Sequence, residues 1–286
     1  MSALASILFA VSAMFGFGFA DFLAKVILAR ASAFRTVLIS QAIGSILYVG
    51  LTIVYDFVVP DATLLFLGAL SGCLSAVVLF AFYKALSLGK ASVVSPLVSC
   101  LTVVAILLSL FLLGETLSVP QVLVIASVFL GMLLVAFETS ATKSATSNSS
   151  ILFALVVVFL GGGNAILQKL LAASGHVLLG FTVSRIFMVG SLLLLVPVLG
   201  SQPPAAGVPR MYGKLAFLGL IDVSAFFAWF LGLREGFVSI VSPIANSSSA
   251  VTIILAHIFL NERVLVHQRI GIVMILLGVV SLSAIS

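Results

Sequence analysis

Apolar runs, each about as long as a bilayer is thick, follow one another along this chain. A hydrocarbon core of about 30 Å takes about 20 residues of α-helix. Ten such runs follow one another, at roughly 3–28, 33–55, 63–87, 90–113, 118–138, 151–172, 176–199, 211–233, 237–260 and 264–285. Polar or turn-forming stretches separate them, among them RASAFR, SLGK, GSQPPAAGVPR and NER. Lipid offers no partner to an exposed backbone N–H or C=O, and the runs lack the two-residue alternation of a barrel strand, so the spanning elements are helices. With 63% hydrophobic and 7% charged residues, the chain also has too few ionic groups to cover a soluble globule. The expectation is an all-α, multi-pass integral membrane protein of the cell membrane, with the lipid bilayer as its first partner. Residues 1–28 lack a basic start and run too long for a cleaved signal, so the first run is expected to stay in place as a span.

Charge and rare residues narrow the function classes. The net charge of +5 is dispersed, which suits loops meeting lipid headgroups and not nucleic acid. Cys73 and Cys100 fall inside apolar runs without metal-type spacing, so no metal or cofactor is expected. The rival class, a membrane-embedded lipid-modifying enzyme, would need a nucleophile or metal cluster at a membrane boundary. The chain has three His, no HExxH and no phosphate-binding glycine loop. It is expected not to be an enzyme, and to act as a monomer or weak dimer. Lys and Arg concentrate in and beside the connectors after the odd-numbered runs, which by the positive-inside rule puts both termini outside.

The chain is written twice. A shift of 147 residues pairs Gly72 with Gly219, Gly89 with Gly236, Ser92 with Ser239, Ser95 with Ser242 and Pro96 with Pro243. It also pairs Glu115 with Glu262, Gln121 with Gln268 and Gly131 with Gly278. A shift of 144 aligns Gly18 and Lys25 with Gly162 and Lys169. Two halves follow, 1–138 and 151–286, joined by a Ser/Thr-rich linker at 139–150. Five spans per half is an odd number, so the second copy enters the membrane from the opposite side, the inverted repeat of many secondary transporters.

Each half has a segment of small polar residues around Ser-Pro, a helix end reading LFLLGETL or IFLNERVL, and then a Gln and a helix Gly. In this it resembles the EamA-type branch of the drug/metabolite transporter superfamily over nearly the full chain. That resemblance implies a central cavity between the halves and export or exchange of small metabolites such as amino acids. It also implies termini in the cytoplasm, opposite to the charge count.

At 100° per residue, Ser92, Ser95, Ser99 and Thr102 fall within roughly 80° of one helix face, and Ser239, Ser242, Asn246 and Ser249 do the same on the ninth run. Each half thus contributes a polar stripe for which lipid is the least favourable neighbour. Pro96 and Pro243 lack the N–H that would hold the preceding turn, and are read as hinges. Tyr83 and Trp229 are the candidate rings beside the stripes. The competing reading is helix packing, in which small residues merely let backbones approach.

Asp222 lies near the middle of its run, where a charge costs at least about 2.5–3.5 kcal/mol. It is the candidate proton-coupling group, and its repeat position is Ser75, so the acid belongs to one half only. Arg185 in the seventh run offers an alternative, a permanent ion pair that never releases a proton. Asp21 and Lys25, spaced i, i+4, are expected to neutralise each other. Lys169 is expected to snorkel to the headgroups, and Glu115 and Glu262 to cap the helices that follow them. The functional expectation is a secondary transporter of small metabolites, amino acids first, working by alternating access and coupled to protons. An uncoupled facilitator or exchanger is the alternative.

Overall fold

Helix boundaries in the protein follow the polar breaks closely. The computed structural model describes residues 3–28, 31–56, 58–89, 94, 97–136, 147–199, 208–260 and 264–285. Through these run α1 (Ala3–Leu28), α2 (Ala33–Tyr55), α3 (Ala62–Leu88), α4 (Leu97–Leu112) and α5 (Val119–Ala136) in the first half. The second half contains α6 (Asn148–Ala172), α7 (Val177–Leu194), α8 (Val208–Glu235), α9 (Val238–Phe259) and α10 (Val266–Ile285). Among the described residues, eight of these are long and apolar enough to cross a membrane, and α4 and α5 are shorter apolar helices. The second half begins three residues earlier than expected, because Ser147 accepts from the N–H of Ser149 and caps α6 at Asn148.

The repeated Gln has a local explanation. At the start of α5, Gln121 Oε1 accepts from Ser118 N–H at 2.9 Å while Ser118 Oγ accepts from Gln121 N–H, a reciprocal capping box. At the start of α10, Gln268 Oε1 accepts from Leu265 N–H at 3.0 Å, and its amide donates to Val135 O on α5.

Contacts between the halves obey the symmetry of the sequence. Helix α1 packs on α8, and its repeat counterpart α6 packs on α3. Likewise α2 on α8 mirrors α7 on α3, and α1 on α9 mirrors α6 on α4. The pairs α2–α7, α4–α9 and α5–α10 each join a helix to its own counterpart, as elements on a pseudo-twofold axis must. Two glycines carry the same relation into atomic detail. A Cβ on Gly219 would collide with the Ser40 carbonyl, and one on Gly72 with the Ser184 carbonyl. Both residue pairs interchange under the sequence repeat, so each glycine permits one equivalent helix–helix crossing.

Two helices are irregular. A π-helical turn, Val157–Gly161, interrupts α6, a feature often found at functional sites. Helix α9 breaks at Asn246 and Ser247 into Val238–Ala245 and Ser248–Leu260. The hinge at Pro243 was expected to loosen the turn before it, but the chain parts in the turn after it. The preceding turn is buried, and the N–H groups of Val238 and Ser239 at its start are held from outside the helix by Glu115. In the following turn Ser247 Oγ donates to the Pro243 carbonyl at 2.6 Å, and side-chain bonding of this kind competes with the helix. Ser92, Ser95 and Pro96, the counterparts in the first half, lie outside the described residues, as does Glu262.

Candidate functional site

The irregular turns of α6 and α9 face a common space. A cavity of about 210 Å³ lies between the halves, walled by α1, α3 and α4 from the first and by α6, α7, α8 and α9 from the second. From α1 come Phe17 and Asp21, and from α3 come Ser75, Val78, Leu79 and Phe82. The first half's Ser99 lines it beside Val98 and Leu101. Helix α6 offers Asn164 and Gln168, α8 offers Asp222, Phe226 and Trp229, and the break in α9 offers Asn246, Ser248 and Ser249.

Several of these polar atoms lack a protein partner. Asn164 Nδ2 donates to Ser75 Oγ at 2.9 Å, but its Oδ1 has no hydrogen bond. Asn246 Nδ2 and Ser249 Oγ are likewise unpartnered. An unsatisfied buried polar group costs about 1–3 kcal/mol, so a site carrying three is set up to be satisfied by something else.

The aromatic wall is fixed more firmly. Trp229 Nε1 donates to Gln168 Oε1 at 2.7 Å, which sets the indole plane, and Phe17 meets Phe226 edge-on with centroids 4.7 Å apart.

Of the residues read as a polar stripe, Ser99, Asn246 and Ser249 reach the cavity. Thr102 and Ser242 are fully buried away from its wall, and neither side-chain oxygen has a hydrogen-bond partner. Ser239 is held by Glu115, whose carboxylate accepts from its hydroxyl at 2.6 Å and its N–H at 3.0 Å, and from Val238 N–H at 2.7 Å. The break in α9 separates the stripe: residues before it turn to the helix start, those at and after it to the cavity. Tyr83 also departs from expectation. It is 1% exposed inside an apolar cluster with Ala20, Ala24 and Met188, and its neighbour Phe82 takes the place on the wall.

The charged residues differ most from the sequence reading. Asp222 and Arg185 are joined through a third side chain. Gln41 Nε2 donates to Asp222 Oδ2 at 2.5 Å, and Gln41 Oε1 accepts from Arg185 Nη1 at 3.2 Å. The guanidinium lies over the rings of Phe226 and Phe181, 4.2 and 4.9 Å from their centroids, in cation–π contacts outside the cavity lining. Gln41 and Arg185 are 144 residues apart and so occupy equivalent places in the two halves, which brings them face to face on the α2–α7 contact. The 144 shift was the signal that could have found Gln41.

Asp21, expected to be neutralised by Lys25, lines the cavity, and Ser248 Oγ donates to its Oδ2 at 3.4 Å. Lys169 does not snorkel. Its ammonium turns inward and donates to Leu233 O at 2.5 Å and Gly236 O at 2.8 Å, because the end of α8 offers carbonyls with no helical partner. Glu115, expected to cap the helix following it, caps α9 of the other half. Together Lys169 and Glu115 pin the short α8–α9 connector from both sides.

Comparison with known proteins agrees with this architecture. The chain matches the EamA-like transporter family over residues 4–137 and again over 148–284. It is 30% identical over 123 residues to an uncharacterized protein of Methanocaldococcus jannaschii, covering 43% of this chain and 89% of that one. A solved crystal structure shares the fold with a TM-score of 0.78 over the whole of both chains at 15% identity. With each half of the helical bundle matched in turn, the chain belongs to the EamA-like transporter family.

Proposed function

We propose that this family member is a secondary transporter of small metabolites of amino-acid size, exporting or exchanging them by alternating access of its two halves, with Asp222 carrying a coupling proton. The observation that carries the reading is the cavity between the halves, in which polar atoms without protein partners stand on the discontinuous helix α9. Its volume lies below the ~300–1,000 Å³ of sites for drug-sized ligands, which favours a solute of amino-acid size. The irregular α6 and α9 supply segments that can repack when the halves rock. Coupling to protons rests on Asp222: its hydrogen bond comes from a neutral amide, so its carboxyl can gain or lose a proton without breaking a direct ion pair.

The test is a thermal-shift screen of the purified protein against amino acids, polyamines, sugars and nucleosides, followed by counterflow of each stabilising solute in proteoliposomes. A ligand that binds only the folded state raises the melting temperature. Solute-driven counterflow above protein-free vesicles is the expected result, and its absence for every class overturns the reading.

A further inference from the structure

The cavity is unequal in charge across the pseudo-twofold axis. Asp21 and Asp222 both line it, from α1 and α8, two helices packed along each other. The repeat positions of these acids are Ala165 and Ser75, which line it too, from α6 and α3. One wall therefore bears two carboxyls where the matching wall bears a methyl and a hydroxyl. Among the described lining residues there is no Lys, Arg or His. Each carboxyl meets one neutral donor, Ser248 or Gln41, which leaves it further acceptor capacity. On the opposite wall Asn164, 4% exposed, holds out an unpartnered carbonyl oxygen. A ligand meeting these groups must bring N–H donors and positive charge.

Of the other ionisable groups near the two carboxyls, Arg185 is linked to Asp222 through Gln41 and offsets part of its charge, but none of them lines the cavity. Arg185 on α7 lies over its two phenylalanines, Tyr83 on α3 is buried in the apolar cluster, and Tyr48 on α2 packs against Phe181 and Phe227. Lys25 lies one turn further along α1 and is exposed. The remaining walls, Phe17, Phe82, Phe226 and Trp229, suit an apolar body and attract cations through their ring faces. A solute carboxylate finds the side-chain amides of Asn164, Gln168 and Asn246 and the hydroxyls as donors, none of them charged, and faces two acids across a small, poorly screened space.

We propose that the solute enters as a protonated amine held between Asp21 and Asp222, so that alkyl or arylalkyl amines without a carboxylate are preferred to amino acids of the same skeleton. This rests on the transporter reading and names the substrate class for that same cavity. Protons and amine compete for the two carboxyls, so amine affinity rises with pH as the protons leave, a linkage that gives proton–amine exchange its physical basis.

Three probes of one skeleton separate the possibilities: tyramine, tyrosine and 3-(4-hydroxyphenyl)propionate, each measured by thermal shift on the purified full chain and by counterflow in proteoliposomes. Tyramine is expected to bind about tenfold or more tightly than tyrosine, and the propionate not at all. Asp21→Asn and Asp222→Asn are each expected to weaken tyramine by about tenfold or more. The comparison of the three probes uses the unaltered protein and holds even if a variant fails to fold. Tighter binding of tyrosine or of the propionate, no response to tyramine, or tyramine binding indifferent to both substitutions overturns the proposal. In those cases counterflow of another solute leaves the transporter reading standing, whereas no counterflow for any solute class removes both.

Discussion

Glu115 closes onto Ser239 across the two halves of the molecule. Its carboxylate takes the hydroxyl and N–H of Ser239 and the N–H of Val238, three donors at the positive end of α9. A charge-assisted hydrogen bond contributes more than a neutral one, and loss of a helix cap costs about 0.5–2 kcal/mol. Glu115→Ala is therefore expected to destabilise the protein by about 2–3 kcal/mol. Glu115→Gln, which keeps one carbonyl acceptor, should cost less. Thermal unfolding in detergent checks the order, and a wild-type melting temperature for the alanine variant would show that the contact contributes nothing.

Gln41 is the only group joining Arg185 to Asp222 in the contacts seen at this site, and it is fully buried. Replacing it with Leu removes an acceptor from the guanidinium and a donor from the carboxylate while adding no new polar atom. The cost of leaving both partners short is about 1–3 kcal/mol each. Gln41→Leu should lower the melting temperature, and transport by the folded fraction should lose its response to a pH gradient. Retention of both properties would mean that Arg185 and Asp222 act independently.

The membrane helices were legible because a bilayer imposes length and hydrophobicity on every span, and the duplication was legible because rare residues such as Glu115, Pro243 and Gln268 recur in one register. The site was read less completely. Helical periodicity places Ser239 and Asn246 on one face, but the break after Ala245 turns them to different neighbours, and no periodic rule anticipates it. The spacing of Asp21 and Lys25 announces a local pair but not the contact that Ser248, 227 residues away, makes with the acid. Lys169 reads as a snorkelling residue because its hydropathy carries no information about the uncapped end of α8 beside it. Pairings between halves are what the linear sequence conceals, except where the repeat itself predicts them, as at Gln41 and Arg185.

Asn246 tests the polar cavity with little risk to the fold. Its side-chain Nδ2 has no hydrogen-bond partner, so removing it should release an unsatisfied buried group and leave stability about level. Asn246→Leu is expected to fold, to elute as the wild type does in size-exclusion chromatography, and to abolish counterflow by filling the break in α9 with an apolar side chain. Counterflow at the wild-type rate would place the solute elsewhere.

Asp222→Asn separates binding from coupling. The substitution keeps the shape and preserves a hydrogen bond to Gln41 after an amide flip, but removes the only group on α8 in the cavity that can carry a proton. A tenfold uphill gradient costs about 1.4 kcal/mol, and 100 mV supplies about 2.3 kcal/mol for each charge moved, so one proton suffices to drive accumulation. The variant should lose accumulation driven by a pH gradient while still exchanging solute across the membrane at high concentration, with reduced affinity for amines. Asp21→Asn, in the same assay, should weaken binding without abolishing the response to the gradient, because the carboxyl connected to the Gln41–Arg185 relay is still present. Uphill accumulation that survives Asp222→Asn and fails in Asp21→Asn would move the coupling proton to α1.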